Sequence, residues 1–335
     1  MSQTQRKIRI ALPSKGLLAD GSKELLSNVG LPVYYPNPRA YIARIPLLPE
    51  VEVILQRPGD IVIGVAEGSI DFGITGRDIL LEKNAGDDRI LELHHALGYG
   101  KCTLNVIVPG DWQEVNTLAD LAEYQKQLGR PLKVATKFPA LTTRFFNEQT
   151  AIPFQVIRAE GALEIAPTVG YADMIVDLVS TGTTLRDNHL KRLEDGLVLK
   201  AQACLIANKQ NLKNNEQTLA IATMLLELVG AYLRAKEKLG IFANVRANTE
   251  AEIAEKIFTK EVISGLQGPT ISRILTQDGE PFYSIHVIVD KVDLHKAVRE
   301  LRSIGGSGVI VSPVNYIFEE EPHELSDMMA ALEEA

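Results

Sequence analysis

Short apolar runs alternate with amphipathic stretches along most of this chain, and this alternation constrains the fold more than any other feature of the sequence. Runs at residues 7–12, 51–55 and 71–75 have the length of buried strands, and each ends in polar or glycine residues before a helical pattern begins. Strands that alternate with helices predict an α/β fold with parallel or mixed sheets. Ligands of such sheets bind beyond the carboxyl ends of the strands, so the residues there are the first candidates for a functional site.

Two or three domains are expected, because 335 residues exceed what a single hydrophobic core usually serves, and the first two are predicted to be the lobes of one body. Lobe I is expected to comprise residues 1–100, and lobe II is expected to comprise residues 101–191. The chain would then return to lobe I and complete it with about residues 192–235. Two lobes joined by two crossings of the chain would enclose a cleft. A long helix at 216–239 is predicted to follow, with Gly240 as its end.

The next part of the chain, residues 236–320, has the order strand, helix, strand, strand, helix, strand. This βαββαβ pattern is typical of ferredoxin-like modules, and Asp278-Gly279 is the turn signal for its central hairpin. Such a module is often a small-molecule sensor or a dimerisation unit, and the fold alone does not decide between them. Residues 321–335 form an acidic tail whose apolar residues recur at helical spacing, so we predict an amphipathic helix packed on its own domain or on a neighbouring subunit.

Composition excludes several classes of protein. Hydrophobic residues make up 45% and charged residues 23% of the chain, which argues against disorder. The apolar runs are too short to span a bilayer, and no signal-like stretch follows the basic residues near the N-terminus, so we expect no membrane partner and a cytoplasmic location. A net charge of −8 argues against a nucleic-acid partner. The only cysteines, Cys102 and Cys204, have no paired metal or redox spacing.

Hydroxyl groups surround one glycine where the apolar run 174–179 ends. A strand, a tight turn and a helix N-terminus bring backbone N–H groups together, and the helix dipole adds partial positive charge, which suits a phosphate. Asp177, upstream of the turn, accepts hydrogen bonds when ionised and suits ribose hydroxyls or a magnesium ion. These features predict a phosphorylated ribose, although the same residue types are ordinary in turns and caps. The turn residues are Ser180, Thr181, Gly182, Thr183 and Thr184.

A longer run around that turn favours the functional interpretation. It resembles the 5-phosphoribosyl-diphosphate signature of the ATP phosphoribosyltransferases, the first enzymes of histidine biosynthesis. The resemblance extends over about residues 7–318, and the C-terminal module resembles the regulatory domain of the family's long form. The matching positions are Glu160-Gly161, Pro167, Gly170, Ala172-Asp173 and Asp177 in the run, and Ser14-Lys15-Gly16, Arg57, Asp60, 71–76, 98–102, 134–139 and 200–206 elsewhere.

The resemblance implies a bilobal, periplasmic-binding-protein-like catalytic body with an ACT-like regulatory domain. It implies that phosphoribosyl diphosphate binds on the loop of lobe II and ATP in the cleft between the lobes. The reaction would join N1 of the adenine of ATP to C1 of the ribose and expel pyrophosphate, with Mg²⁺ as cofactor. L-Histidine would inhibit it by binding between regulatory domains, and the chain would form homo-oligomers from dimer to hexamer.

Roles in lobe II follow by position in the family's motif. Ser180, Thr181, Gly182, Thr183 and Thr184 would cradle the 5-phosphate. Asp173 and Asp177 would hold ribose hydroxyls, directly or through magnesium. Glu160 would orient the ribose or the metal, or be a solvated carboxylate at a strand end. The loop lacks the pair of adjacent acids of the common phosphoribosyltransferase signature, which leaves the metal's protein ligands open.

In lobe I, Lys15, Gly16 and Arg57 would line the ATP site, with Lys101 at the crossing as a further cation. Cations there could neutralise pyrophosphate or the phosphates of ATP, so Lys15 and Arg57 are expected to carry catalysis, together with Asp177 of lobe II as the ligand of the ribose hydroxyls. In the regulatory module, turn and strand residues are expected to contact L-histidine, or to have only a structural role. These are Asn244, Thr270 and Gly306.

Three other functions stay open from the sequence. A bilobal body with a hinge could be a non-catalytic binding protein, and a chain with a sensor module could be an amino-acid-responsive regulator. A phosphoribosyltransferase acting on another base is a closer alternative, because a phosphate loop does not identify the nucleophile.

Overall fold

The computed structural model describes residues 6–37, 40–84, 86–179, 183–265, 268–276 and 279–334. The chain folds into two compact units. The large unit comprises residues 1–226 and 324–335, and the small unit comprises residues 227–323.

Lobe I of the large unit is built on a six-stranded sheet of order β2-β3-β1-β4-β11-β5. Strands β1, β3 and β4 are parallel, so their carboxyl ends lie at one edge. β4 is buried along its whole length, as expected of a strand covered on both faces. The elements are β1 (Ile8–Pro13), α1 (Leu17–Asn28), β2 (Ile42–Arg44), β3 (Val51–Gln56), α2 (Pro58–Ala66), β4 (Phe72–Gly76), α3 (Arg77–Lys83), β5 (Ile90–His94) and β11 (Ala203–Asn208).

Lobe II has a five-stranded sheet of order β10-β6-β9-β7-β8. Strands β9, β7 and β8 are parallel, whereas β6 and β10 run in alternating directions beside them. The elements are β6 (Cys102–Pro109), α4 (Leu118–Leu128), β7 (Leu132–Thr136), α5 (Pro139–Gln149), β8 (Phe154–Arg158), α6 (Ala166–Val169), β9 (Met174–Val179), α7 (Thr183–Asp187) and β10 (Leu190–Ala201). The predicted two-lobed α/β body is confirmed.

The chain returns to lobe I at Gln202, and not near residue 192 as the sequence suggested. β10 is a twelve-residue strand with register shifts that completes the sheet of lobe II beside β6. The first crossing between the lobes comprises residues 95–101, and the second lies at Gln202. The two crossings are hydrogen-bonded to each other, because the Gly98 N–H donates to Gln202 Oε1 at 3.0 Å and the Ala203 N–H donates to the Tyr99 carbonyl at 3.0 Å.

Helix α1 packs on the first crossing through Tyr99. The Tyr99 hydroxyl lies 2.9 Å from Ser22 Oγ, and its ring covers Gly21, where a Cβ atom would come within 2.1 Å of a ring carbon. Only glycine therefore fits at position 21 without displacing the ring.

The small unit contains the predicted βαββαβ module, with sheet order β13-β14-β12-β15. One face of this sheet packs on two helices around a core that includes Ile241, Ile285 and Leu301. Asp278 of the predicted hairpin turn lies outside the described residues. The elements are β12 (Lys238–Arg246), α10 (Glu250–Phe258), β13 (Thr270–Ile274), β14 (Phe282–Asp290), α11 (Leu294–Ser303) and β15 (Ser307–Pro313).

Helix α8 (Lys209–Asn214) and the long helix α9 (Glu216–Ala235) follow β11, and the division between the two units falls within α9. The predicted end of this helix at Gly240 is wrong, because Gly240 lies inside β12, opposite Ile288 and Ser312. A Cβ atom at Gly240 would come within 3.3 Å of His286, so this glycine permits a close approach within the sheet. Of the described helices, α9 alone has the length and apolar composition of a membrane span, and half of its most apolar window is buried in the protein.

The acidic tail forms helix α12 (His323–Glu333), and residues 324–335 belong to the large unit. Glu324 Oε1 lies 3.5 Å from His94 Nε2 at the end of β5, and Met328 is buried. The tail helix is therefore part of the large unit, whereas the sequence suggested packing on the C-terminal domain or on a neighbouring subunit.

Candidate active site

The loops after β1 and β3 bring Lys15, Gly16 and Arg57 to one edge of lobe I. The Ser14 N–H donates to the carbonyl of Gln56 at 2.8 Å, which joins the ends of these adjacent parallel strands. Gly16 has a φ of 79° and precedes α1, with no atom within 4 Å of a Cβ built there, so the backbone is open to a ligand. Arg57 precedes α2, and Lys15 and Arg57 are both exposed. Two exposed cations thus share the carboxyl edge of this sheet.

Lys101 lies at the first crossing, between Gly100 and the start of β6, and it is exposed. The neighbouring Cys102 is half-buried, and burial followed by the charge of Asp78 raises the pKa of its thiol to about 11. At neutral pH this thiol is protonated and is a poor nucleophile. Lys101 is therefore the residue of this segment that is suited to an anionic ligand.

The end of β9 is held in place by hydroxyl groups of the two neighbouring strands. Thr103 Oγ1 donates to the carbonyl of Val179 at 3.2 Å, and Thr136 Oγ1 donates to the carbonyl of Val176 at 2.7 Å. The predicted strand Met174–Val179 is confirmed, and a helix begins at Thr183. Ser180, Thr181 and Gly182 lie outside the described residues, as do the side chains of Thr183 and Thr184.

Asp177 lies near two charged residues that the sequence analysis did not select. The pKa of Asp177 is raised overall, chiefly by burial and to a smaller extent by the charge of Glu164. The hydrogen bond from the Leu178 N–H and the charge of Lys137 act in the opposite direction. The Leu178 N–H donates to Asp177 Oδ1 at 2.8 Å, and Asn105 is paired with Asp177 across β6 and β9. A carboxylate that is partly removed from water beside a lysine suits hydroxyl recognition, because its lone pairs retain few solvent partners.

Lys137 follows the carboxyl end of β7, the strand next to β9. The sequence signal for this residue is a lysine that follows an apolar strand and precedes Phe138-Pro139, where Pro139 is the first residue of α5. Glu164 lies in a short 3₁₀ turn before α6, and its sequence signal is weaker because no strand precedes it directly. Strand order, which the sequence does not give, brings Lys137 close to Asp177.

Glu160 and Asp173 lie at opposite edges of lobe II. Glu160 follows β8 at the same edge as the hydroxyl turn, about 10 Å across the sheet from β9, since β7 lies between them. Asp173 precedes β9, about 20 Å from the turn at the spacing of an extended strand. Both oxygens of Asp173 accept hydrogen bonds at 2.7 Å from Arg130, and one also accepts from the Lys133 N–H. The geometry gives Asp173 a structural role and does not place it with the predicted ribose ligands.

No three His, Cys, Asp or Glu side chains converge as metal ligands within the part of the chain that the structure describes. Mg²⁺ in phosphate-handling sites commonly keeps water ligands and is held by one or two carboxylates together with substrate phosphates. Asp177, with Glu164 acting on it, fits this mode of binding. The residues therefore fit a magnesium ion that arrives with a diphosphate.

The predicted regulatory residues lie on two parts of the small unit. Asn244 faces the start of β15, where Ser307 Oγ donates to the Asn244 carbonyl at 3.2 Å. Gly306 is required there by packing, because a Cβ atom would come within 2.5 Å of the Leu301 carbonyl. Thr270 begins β13 and pairs with His286, which stacks on Phe242 with ring centroids 4.2 Å apart.

The sequence of the chain matches one family of enzymes along nearly its whole length. The family model for ATP phosphoribosyltransferase matches residues 57–253, and the model for the HisG C-terminal domain matches residues 235–316. ATP phosphoribosyltransferase 2 of Arabidopsis thaliana, a chloroplastic protein, is 42% identical over 335 residues, covering 98% of this chain and 81% of the relative. The chain belongs to the ATP phosphoribosyltransferase family.

Other members of the family agree with this assignment. ATP phosphoribosyltransferase of Rhodopseudomonas palustris is 33% identical, covering 96% of this chain and 98% of the relative. A chain of the solved ATP phosphoribosyl transferase (HisG:HisZ) complex from Thermotoga maritima superposes with a TM-score of 0.52 at 21% identity. It covers 67% of this chain and 98% of its own length, and it supports the fold of the bilobal body. Family membership confirms the resemblance found in the sequence and makes the chain a phosphoribosyl-transferring enzyme.

Proposed function

We propose that this ATP phosphoribosyltransferase transfers the 5-phosphoribosyl group of phosphoribosyl diphosphate to N1 of ATP and releases pyrophosphate, as the first step of L-histidine biosynthesis. The observation that carries the proposal is the register of the strands at the crossing. Thr103 pairs with Val179, and Cys102 pairs with Ala201, so the crossing lies at the edge of lobe II that carries the hydroxyl turn. Ala203 pairs with Gly76, so the crossing also lies at the carboxyl edge of lobe I.

These two edges can hold the two substrates on either side of the crossing. Lobe I offers Lys15, Gly16 and Arg57 for the phosphates of ATP or for pyrophosphate. Lobe II offers the hydroxyl turn for the 5-phosphate and Asp177 for the ribose hydroxyls. Binding of parallel-sheet ligands beyond the carboxyl ends of the strands agrees with this division.

The chemistry requires positioning and charge stabilisation more than proton transfer. Breaking the bond from C1 to pyrophosphate builds positive charge on the sugar and negative charge on the leaving group, so Lys15, Arg57 and Lys101 would stabilise the departing pyrophosphate. Adenine N1 attacks with its own lone pair, and holding it in line with C1 supplies much of the acceleration. A bound Mg²⁺ would neutralise part of the diphosphate charge.

Regulation by L-histidine belongs to the same proposal. The βαββαβ module and its match to the C-terminal family domain support a regulatory role. Asn244, Thr270 and Gly306 remain the predicted contacts of the inhibitor, Gly306 chiefly through the turn that it permits. Assembly from dimer to hexamer and a cytoplasmic location remain predictions of the sequence.

The test is formation of the N1 adduct from ATP, phosphoribosyl diphosphate and Mg²⁺, followed by its ultraviolet absorbance. We expect the adduct with ATP and not when GTP replaces it, and we expect L-histidine to reduce the rate. Product with another base but none with ATP would support the alternative phosphoribosyltransferase. Absence of product with any purine nucleotide, from protein that still binds phosphoribosyl diphosphate, would refute the proposed reaction.

A further inference from the structure

Helix α3 packs on the cores of both lobes of the large unit. Leu80 is buried in the lobe I cluster that includes Ile61 and Val65. Leu81 packs on the lobe II cluster, and Ile79 packs on both clusters. A rotation of one lobe against the other would therefore have to separate apolar side chains of α3 from one of the two cores.

The carboxylate of Glu82 joins α3 to the first turn of α5 in lobe II. Glu82 Oε1 accepts a hydrogen bond from the Ala140 N–H at 3.0 Å, and Oε2 accepts one from the Leu141 N–H at 3.0 Å. The N-cap residue of α5 is Phe138, which provides no capping side chain, and Pro139 follows it. The N–H groups in the first turn of a helix need acceptors from elsewhere, and here another lobe supplies them.

The adjacent residue of α3 packs on lobe I. The side chain of Lys83 lies over Gly59 of α2, where a Cβ atom would come within 2.7 Å of Lys83 Cε. Successive residues at the end of α3 thus contact opposite lobes. The N–H of Arg77, the first residue of α3, donates to the Gln202 carbonyl in the second crossing at 2.9 Å. Glu82 is five residues further along α3, roughly 8 Å at the rise of an α-helix.

We infer that α3 is an interlobe brace and that Glu82 is a positioning residue, which holds the two lobes in one relative orientation by capping α5. The start of α5 follows Lys137 directly, and the Phe138 N–H donates to Thr136 Oγ1 at 2.9 Å. The brace therefore fixes the turn that carries Lys137 relative to the loops of lobe I. The brace concerns the lobes themselves and does not depend on the proposed reaction, whereas the expected effect of Glu82 on KM rests on the proposed function.

Amide hydrogen exchange tests the local part of the inference. Glu82→Ala should raise exchange at Ala140 and Leu141 by roughly three- to thirtyfold, the range expected for loss of a helix cap. Glu82→Gln, which keeps one acceptor oxygen, should give a smaller increase. Glu24→Gln removes an exposed acid from α1 and is the matched control, for which no change is expected at these amides. Unchanged exchange at both amides in Glu82→Ala would overturn the inference.

The distance between spin labels on the two lobes tests the brace itself. Labels at Ser27→Cys in α1 and Gln127→Cys in α4 would be introduced after replacing Cys102 and Cys204, with excess unlabelled protein to remove distances between chains. We expect one narrow distance distribution in the parent and in the Glu24→Gln control, and a broadened one in both Glu82 variants. If exchange rises at α5 but the distribution stays narrow, Glu82 is only a helix cap and the brace is refuted.

The kinetic signature separates positioning from folding. Glu82→Gln should raise the KM of both substrates by about the same factor, because both depend on the orientation of the lobes, while its thermal unfolding midpoint stays near that of the parent. A change in kcat alone, with both KM values unchanged, would contradict a positioning role. Exchange at the β1 and β3 amides should stay at the parent level, since a general loss of stability would raise it there as well.

Discussion

Asp173 and Asp177 provide a matched pair of substitutions that separates a structural carboxylate from a substrate ligand. Both flank or lie in β9, and each can be replaced by the isosteric asparagine. Asp173→Asn removes a bidentate ion pair with Arg130, whose hydrogen bonds of 2.7 Å would be worth about 1.5–3 kcal/mol in a protected site. The Arg130 side chain is 45% exposed, so solvent screening reduces the expected loss to about 1 kcal/mol.

Asp177→Asn is expected to have the opposite effects. Burial raises the pKa of Asp177, so its ionised form costs stability in the folded state, and asparagine should leave the free energy of unfolding unchanged or slightly higher. The KM for phosphoribosyl diphosphate should rise and turnover should fall, because an acceptor for ribose hydroxyls is weakened. Asp173→Asn should leave that KM unchanged.

The two carboxylates are expected to change stability in opposite directions as the pH rises. The hydrogen bonds from Arg130 lower the pKa of Asp173, so its stabilisation is present above the unfolded pKa of about 3.9 and is lost as pH falls through the folded pKa. The pKa of Asp177 is raised, so its cost appears as pH rises through the unfolded pKa and is absent in acid. Urea unfolding from about pH 7 down to about pH 2.5, with steady-state kinetics at neutral pH, measures both effects, because the loss for Asp173 occurs only below its unfolded pKa. A raised KM for phosphoribosyl diphosphate in Asp173→Asn, with unchanged stability, would refute the structural role of Asp173.

Three further substitutions test other parts of the site. Thr183→Val should raise the KM for phosphoribosyl diphosphate by roughly tenfold or more, the loss expected for one hydrogen bond to a charged group, and a normal KM would mean that the turn does not hold the phosphate. Lys137→Met removes a charge that lowers the pKa of Asp177, so the acid limb of the pH–rate profile should move to higher pH; an unshifted limb would dissociate Asp177 from catalysis. Gly21→Ala should lower stability, because overpacking against Tyr99 costs about 1–3 kcal/mol and the gain in helix propensity is about 1 kcal/mol. Tyr99→Leu should relieve most of that loss, as a thermal-unfolding cycle would show.

Local patterns in the sequence predicted the elements that position the site. The strand that ends at Val179 and the helix that starts at Thr183 follow from an apolar run and a hydroxyl-rich turn. The βαββαβ module was equally evident, because each of its strands and helices has its own periodicity. These strands, helices and turns could be predicted because each depends mainly on residues that are close together in the sequence.

Features that depend on strand order or on distant packing were missed. Lys137 lies near Asp177 only because β7 lies beside β9, and a motif match does not show that Asp173 precedes β9, at the end remote from the hydroxyl turn. Gly240 resembles a helix end because glycine often has that role locally, but it lies within β12, where it permits a close approach of the His286 ring. The cap that Glu82 supplies to α5 joins residues 58 positions apart and leaves no pattern in either segment.

The return of α12 to the large unit makes the small unit an insertion and not a terminal appendage. The polypeptide leaves the catalytic body within α9 and re-enters it at Glu324, beside His94. Truncation after residue 235 would consequently remove helix α12 from the large unit as well as most of the small unit. A variant that tests the proposed histidine regulation is better made by excising 227–323, because this segment is joined to the large unit by two covalent connections and not by one.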